Sequence, residues 1–260
     1  MLAKDLIPFV VRKLSLVVLP VIETSHGDLK MIDSATALGE QFQHAHDWFS
    51  RAESIWRNRR KDPAYEFAGW LNYQNKLTSQ SLSEPFVVLT NKSGTNLSAA
   101  MMTPREAKKI GRLSLNGFIA ENVTYRYYAK SEEEAHYLVG ILNTAYVNEA
   151  IKPLQPQGLM GERDIHRRPF EACAIPLFVP SNKLHQQIAN VSAEARGQLL
   201  SIVPKMQTPV ATARAEARLI ARGKLNKLDE LVRKLLAHPA PETVYPPHET
   251  EPLILNDFFL

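Results

Sequence analysis

The hydrophobic pattern of this chain changes its period several times, and this limits the fold more than any other feature. Apolar residues recur every three or four positions in residues 38–56, as on one face of a helix. They run almost continuously in residues 85–90 and 96–102, as in buried strands. Helical spacing returns in residues 131–145 and again beyond Pro209. Strands and helices in separate stretches predict an α+β fold.

Turn and capping residues set the expected boundaries of these elements. Residues 14–22 predict a first buried strand, and the turn at residues 91–95 joins two apolar runs as a hairpin. Ser131 and Glu134 have the spacing of a capping box at a helix start. Residues 103–111 begin with Thr-Pro and end with Gly, which predicts one short helix.

We predict from these elements that the chain divides after residue 180. Residues 1–180 are expected to form an α/β domain, built on a mixed sheet with flanking helices. Residues 181–260 are expected to form a helical C-terminal extension that ends in a proline-rich tail.

Composition narrows the class of protein. The single cysteine, Cys173, rules out an internal disulfide and favours a reducing, cytoplasmic location. No apolar run approaches the roughly 20 residues that a membrane-spanning helix needs, so no membrane partner is expected. The net charge of +4 permits nucleic-acid binding without requiring it.

Motifs that carry chemistry are missing from the sequence. It contains no G-x-G cofactor loop, no phosphate-binding P-loop, no G-x-S-x-G nucleophile turn and no H-E-x-x-H metal motif. Glu162, Asp164 and His166 lie close together, but we prefer an ion-paired, arginine-rich loop to a metal-dependent nuclease site. We therefore predict no catalytic residue and no metal ligand in this chain.

Three segments, taken in order, resemble one protein family. They are WLNYQNKLTSQ (residues 70–80), FIAENVTYRYYAKSEEEAHYLVGILNTAYVNEAIK (118–152) and GLMGERDIHRRPFE (158–171). Together they are similar to the region after the catalytic domain of large adenine-N6-specific DNA methyltransferases and fused restriction–modification enzymes. The similarity extends over residues 65–236, and GERDIHRRP is its most specific part.

The resemblance implies a target-recognition domain followed by a helical segment. The family's catalytic Asn-Pro-Pro-Tyr tetrapeptide and glycine-rich cofactor loop are absent, and residues 245–248 (YPPH) are a different sequence. We therefore expect sequence-specific DNA binding without catalysis by this chain alone. The resemblance implies double-stranded DNA and a methyltransferase catalytic domain or chain as partners. It also implies that S-adenosylmethionine binds to that separate catalytic domain.

Cations and amides in three loops and one helix supply the candidate DNA contacts, because phosphates attract cations and amides pair with base edges. The helical residues recur every four positions and predict one cationic stripe. The predicted DNA-binding residues are Asn72, Lys76, Gln80, Lys92, Ser93, Asn96, Arg163, His166, Arg167, Arg168, Arg214, Arg218 and Arg222.

Two alternatives remain open at the level of sequence. In one, the chain is a fragment of a longer methyltransferase or restriction enzyme and contributes to methylation or cleavage there. In the other, it is a stand-alone adaptor whose basic faces bind RNA or a protein partner. An Asn-Pro-Pro-Tyr motif just upstream would favour the first, and preference for RNA over duplex DNA would favour the second.

Overall fold

The structure is a computed structural model that describes residues 1–61, 63–103, 109–110, 112–115, 117–156, 164–203, 208–237 and 244–245. The fold is α+β, as the sequence predicts. The chain divides into two compact units: a large unit of residues 1–15 and 84–260, and a small unit of residues 16–83. Positions 180 and 181 both belong to the large unit, which therefore contains residues from each side of the predicted boundary.

Short strands and helices occur in separate runs along the described chain. The strands are β1 Leu6–Ile7, β2 Val10–Val11, β3 Val21–Glu23, β4 Leu29–Met31, β5 Phe86–Asn91, β6 Ala99–Met102, β7 Lys109–Ile110, β8 Leu113–Ser114 and β9 Thr124–Ala129. The α-helices are α1 Ser34–Gly39, α2 Gln43–Arg59, α3 Phe67–Leu71, α4 Glu132–Leu142, α5 Ala145–Ile151, α6 Arg168–Ala172, α7 Lys183–Leu200, α8 Val210–Ile220 and α9 Arg222–Leu236.

A three-stranded sheet of order β6-β5-β9 lies at the centre of the large unit. The predicted hairpin is confirmed, because β5 pairs antiparallel with β6 and places Val88 opposite Met101. β9 pairs antiparallel with the other edge of β5. The described ladders are all antiparallel, and the parallel component of the predicted mixed sheet is a single bridge between Phe9 and Ala100.

Both faces of this sheet are covered by apolar side chains. Val88 and Met101 point into the main core, which the helices complete. Val87 and Leu89 point to the opposite face and pack in a second cluster with Met1. The side-chain alternation of a strand produces this division, and it explains why β5 reads as a continuous apolar run.

Helix α4 is the most deeply buried helix of the described chain. The predicted capping box is present in part, since the Ser131 hydroxyl accepts a hydrogen bond from the Glu134 backbone N–H. Residues 134–142 are buried in an unbroken series, as expected for a helix that is apolar on nearly all sides. α7 and α9 pack against it and shield it from solvent.

Two asparagines fix the chain that leads into β6. Asn143 is buried, and its amide accepts from Ala99 N (3.0 Å) and donates to Ala99 O (2.8 Å). The Asn148 amide oxygen accepts from Leu97 N at 2.7 Å. These side chains supply hydrogen bonds that a neighbouring strand would otherwise supply, so the backbone near Leu97 is held in one conformation.

The small unit is built around a minor core. The hairpin of β3 and β4 pairs Ile22 with Lys30, and Ile22 packs on a cluster of Ile32, Ala37 and Phe49. The Asp33 carboxylate caps α1 by accepting from Thr36 N at 2.7 Å. Helix α2 joins this core through Phe49.

Two sequence predictions about this unit are wrong. Residues 14–22 do not form a buried strand: residues 16–18 are exposed, and the strand begins at Val21. The single helix predicted through residues 38–56 is instead two helices, because Gln41 adopts a φ of 62° between them. A left-handed residue interrupts the helical hydrogen-bond ladder, although the apolar spacing continues across it.

Three further predictions concern the helix at residues 103–111, the proline-rich tail and membrane-spanning helices. The helix predicted over residues 103–111 does not reach Gly111, because Lys109–Ile110 form strand β7 and pair with β8. Residues 104–108 and 111 lie outside the described residues, as does most of the proline-rich tail. Within the described part of the chain, no helix combines the length and apolar character needed to cross a membrane.

Candidate nucleic-acid interface

The turn after β5 is built around the side chain of Asn91. This buried amide donates to Ser93 O (2.7 Å) and Asn96 O (3.2 Å) and accepts from Ser98 N (2.7 Å). Gly94 occupies the middle of the turn with a φ of 127°, a conformation that other residues rarely adopt. The turn that carries predicted DNA-binding residues is therefore an ordered one.

A second turn, far away in sequence, is joined directly to the first. The Lys92 carbonyl accepts from Ile165 N (2.8 Å) and His166 N (3.0 Å), and Ser93 forms a bridge with Asp164. Ile165 is fully buried and anchors this second turn in the main core. Two of the three loops predicted from separate stretches of sequence thus meet in one place.

The meeting of the two turns creates a small polar surface. We define the joined-turn surface as Lys92, Ser93, Tyr125, Asp164, His166 and Arg167. The His166 ring nitrogen Nδ1 lies 3.2 Å from the Tyr125 hydroxyl, and Nε2 lies 3.8 Å from Asp164 Oδ2. The Lys92 ammonium lies 4.6 Å from the centroid of the Tyr125 ring. The surface therefore combines two cations, an imidazole and an aromatic ring with one carboxylate, that of Asp164.

The remaining loop residues have different positions. Arg167 is half-buried and precedes α6, and Arg168 is the first residue of that helix. Arg163 lies outside the described residues. Tyr125 was not among the residues predicted from the sequence. If β9 had been predicted to pair with β5, Tyr125 would have been placed next to Lys92.

The predicted cationic stripe is not a continuous row on the surface. Arg214 donates to Leu6 O at 3.0 Å and Ala3 O at 3.3 Å. Arg218 donates to Leu97 O and Asn143 O, and burial, followed by the like charge of Arg214, lowers the pKa of Arg218. Both guanidinium groups hold the fold together, so they are poor candidates for phosphate contacts.

Arg222 is the exposed member of the predicted stripe. Helix α8 ends at Ile220 with Ala221 as its C-cap, so Arg222 begins the next helix instead of continuing the row. It lines a polar groove of about 740 Å³ together with Asn96 and Arg218. Glu149 and Asp229 line the same groove, so its charge is mixed and does not favour an anionic ligand.

Replacing Arg218 by alanine is expected to lower the free energy of unfolding by about 2 kcal/mol, because two carbonyls lose a charged donor. The matched change Arg222→Ala removes an exposed guanidinium and is expected to cost less than about 0.5 kcal/mol. Urea denaturation of both variants measures the difference. Equal stability of the two variants would show that Arg218 has no structural role.

The predicted residues of the small unit are largely engaged within that unit. The Asn72 amide oxygen accepts from Leu77 N and Thr78 N, which fixes the loop after α3. Gln80 is buried and donates to Lys76 O at 2.8 Å. Lys76 places its ammonium 5.5 Å from the Trp70 ring centroid, and partial burial lowers the pKa of Lys76.

Comparison with known proteins gives no match: neither a protein-family model nor a curated protein is similar enough to identify this chain.

Proposed function

We propose that the chain binds duplex DNA through the joined-turn surface. The observation that carries the proposal is the direct hydrogen bonding of Lys92 O to Ile165 N and His166 N. These bonds unite two turns that were selected independently as DNA-binding, one from residues 91–96 and the other from residues 158–168. A rigid framework that presents cations from two turns is a suitable platform for DNA.

The chemistry of the surface suits both kinds of contact that a DNA reader makes. The Lys92 ammonium and the Arg167 guanidinium can bond phosphates, which fixes the orientation of the protein on the duplex. Arginine can also bond guanine at two points in the major groove. Ser93 and His166 add groups that can donate to phosphates or base edges.

In this proposal the chain is the target-recognition part of an adenine-N6 methyltransferase or restriction–modification system. It carries no catalytic step by itself, and S-adenosylmethionine binds to a separate catalytic domain or chain. The support for this assignment is the resemblance of residues 65–236, whose GERDIHRRP stretch contains Asp164, Ile165 and His166 of the second turn.

Binding to duplex DNA is expected to weaken steeply with salt. If about five phosphates are contacted, a plot of log K against log salt should have a slope of −4 to −5, from roughly −0.9 per phosphate. The variant Lys92→Ala is expected to reduce the size of this slope by about one on every sequence. A flat salt response of the unmodified protein would contradict the proposal.

Two further variants separate recognition from folding. Arg167→Ala is expected to cost about 1–3 kcal/mol on the preferred site and much less on random DNA, if this guanidinium reads a base. Lys183→Ala removes an exposed lysine outside the joined turns and serves as the control. Loss of melting temperature in Arg167→Ala, with an unchanged ratio of specific to random binding, would assign Arg167 to the structure of the turn.

A further inference from the structure

A pocket of about 370 Å³ in the small unit is lined mainly by aromatic rings. Trp56 and Trp70 contact each other with ring centroids 4.5 Å apart and an angle of 34° between the ring planes. Tyr65 and Tyr73 meet edge to face at 5.8 Å. Arg60 and Lys61 complete the lining.

Hydrogen bonds hold the pocket in shape. The Tyr65 carbonyl accepts from the Trp56 indole N–H at 3.0 Å and from Arg60 at 2.9 Å. Arg60 also forms an ion pair with Glu66 at 3.0 Å. The end of α2 and the chain before α3 are therefore fixed to each other, so the rings lie in a defined arrangement before any ligand arrives.

The rings remain open to solvent even though they are large and apolar. Trp70 is 45% exposed, Tyr73 is 42% exposed and Tyr65 is 39% exposed. A single exposed aromatic residue needs no explanation, but three around one pocket form an apolar patch that is typical of binding sites. The flat faces of such rings suit a ligand that is itself flat.

The charge of the pocket favours a flat anionic ligand over a cationic one. Aromatic rings also bind quaternary ammonium groups, but the exposed Lys61 in the lining would repel a cation. The ammonium of Lys76, 5.5 Å from the Trp70 ring centroid, adds a further positive charge. The Glu66 carboxylate is paired with Arg60. An anionic ligand with a flat aromatic part fits this combination.

We propose that this pocket binds an unpaired nucleotide of a single-stranded nucleic acid. The base enters the pocket against the exposed rings of Trp70 and Tyr73, while its phosphate lies near Lys61 and the Lys76 ammonium. Stacking on aromatic residues beside cations is the common way in which proteins hold single strands without reading their sequence. This site is separate from the duplex-binding surface proposed for the large unit.

Tryptophan fluorescence provides a direct test, because Trp48, Trp56 and Trp70 are the chain's three tryptophans and all belong to the small unit. Titration of the full chain with an oligo(dT) of about 12 nucleotides should quench the emission to saturation. Trp70→Ala is expected to weaken binding about ten-fold or more, which corresponds to about 1.4 kcal/mol. Trp48→Ala, which removes an indole that is 49% exposed and outside the pocket, should change affinity less than two-fold, on the order of 0.4 kcal/mol.

A charge-reversal pair tests the role of the phosphate without disturbing the rings. Lys61→Glu is expected to weaken oligo(dT) binding about ten-fold, whereas Lys30→Glu, at an exposed lysine on β4, should have little effect. Thermal unfolding of each variant confirms that it is folded. An oligo(rU) of the same length should compete with oligo(dT), because neither stacking nor the phosphate contact requires a particular sugar.

The proposal is overturned if Trp70→Ala and Lys61→Glu bind oligo(dT) as well as their controls do. It is also overturned if tetramethylammonium, and not the oligonucleotide, saturates the pocket. Lys92→Ala is expected to leave oligo(dT) affinity unchanged while weakening duplex binding. The two binding proposals can therefore be contradicted independently, because each has variants that affect only its own site.

Discussion

Replacing Glu134 by alanine is expected to lower the free energy of unfolding by about 3–5 kcal/mol, one of the two largest losses that we predict. The Glu134 side chain is buried, and its carboxylate accepts from the hydroxyls of Tyr245 (2.7 Å) and Tyr127 (3.0 Å) and from Lys130 N (2.7 Å). Removal of the carboxylate leaves these three donors without this acceptor.

The surroundings of Glu134 make such a loss difficult to compensate. Burial, together with the Glu134 carboxylate, raises the pKa of Tyr127 and Tyr245 above the ordinary value for tyrosine, so both hydroxyls remain protonated donors in alkaline as well as neutral solution. The Tyr245 hydroxyl also accepts from Phe178 N at 3.1 Å. A single carboxylate thus links β9, the start of α4 and Tyr245.

Glu133→Ala is the matched control for this prediction. Glu133 lies in the same first turn of α4 but is exposed, and its carboxylate interacts with its own backbone N–H and the Ser131 side chain. Because a charge at an exposed helix start is worth about 0.3–1 kcal/mol, its loss is expected to cost that much. Urea denaturation of both variants gives the comparison. Equal losses would show that the buried network contributes nothing beyond the charge at the helix start.

Sequence patterns predicted the elements whose signals are local. The hairpin of β5 and β6 and the cap of α4 were predicted because turn chemistry and capping depend on residues close in sequence. The residues after Pro209 were correctly predicted to be helical for the same reason. Residues 16–18 were misjudged because a short apolar run does not reveal which of its side chains will be covered.

The positions of the candidate site residues were harder to predict from the sequence. Spacing placed Arg214 and Arg218 on one side of a helix, but only the fold shows that this side meets the backbone carbonyls of Leu6 and Leu97. A long-range contact of this kind leaves no periodic trace in the sequence. The joining of the two turns at Lys92 is equally non-local, since it depends on the buried position of Ile165.

The aromatic pocket could have been predicted from the clustering of aromatic residues along the sequence. Trp56, Tyr65, Trp70 and Tyr73 lie within one short stretch that also contains several cations. The apolar spacing of α2 instead predicted that Trp56 lies on the helix face that packs in the core. The structure instead packs Trp56 against Trp70, whose ring remains half exposed.

The second large effect is expected at Gly140, where helix α4 packs tightly against α7 and α9. A Cβ atom at this position would lie 3.1 Å from side-chain carbons of Ile188 and Ser192 and 3.2 Å from one of Leu228. These neighbours belong to two helices of a packed core and cannot all withdraw. Gly140→Leu is therefore expected to lower the free energy of unfolding by about 3 kcal/mol.

The same substitution at Gly197 provides the control, because both glycines lie inside helices and differ in what surrounds them. A Cβ at Gly197 meets no atom within 4 Å, so Gly197→Leu should raise stability by about 0.5–1 kcal/mol through helix propensity alone. Propensity acts in the same direction at Gly140, and any loss there must come from overpacking. Opposite signs for the two variants in urea denaturation are the expected result. A stability gain in both would mean that α4, α7 and α9 separate readily and that their contact is looser than the distances at Gly140 indicate.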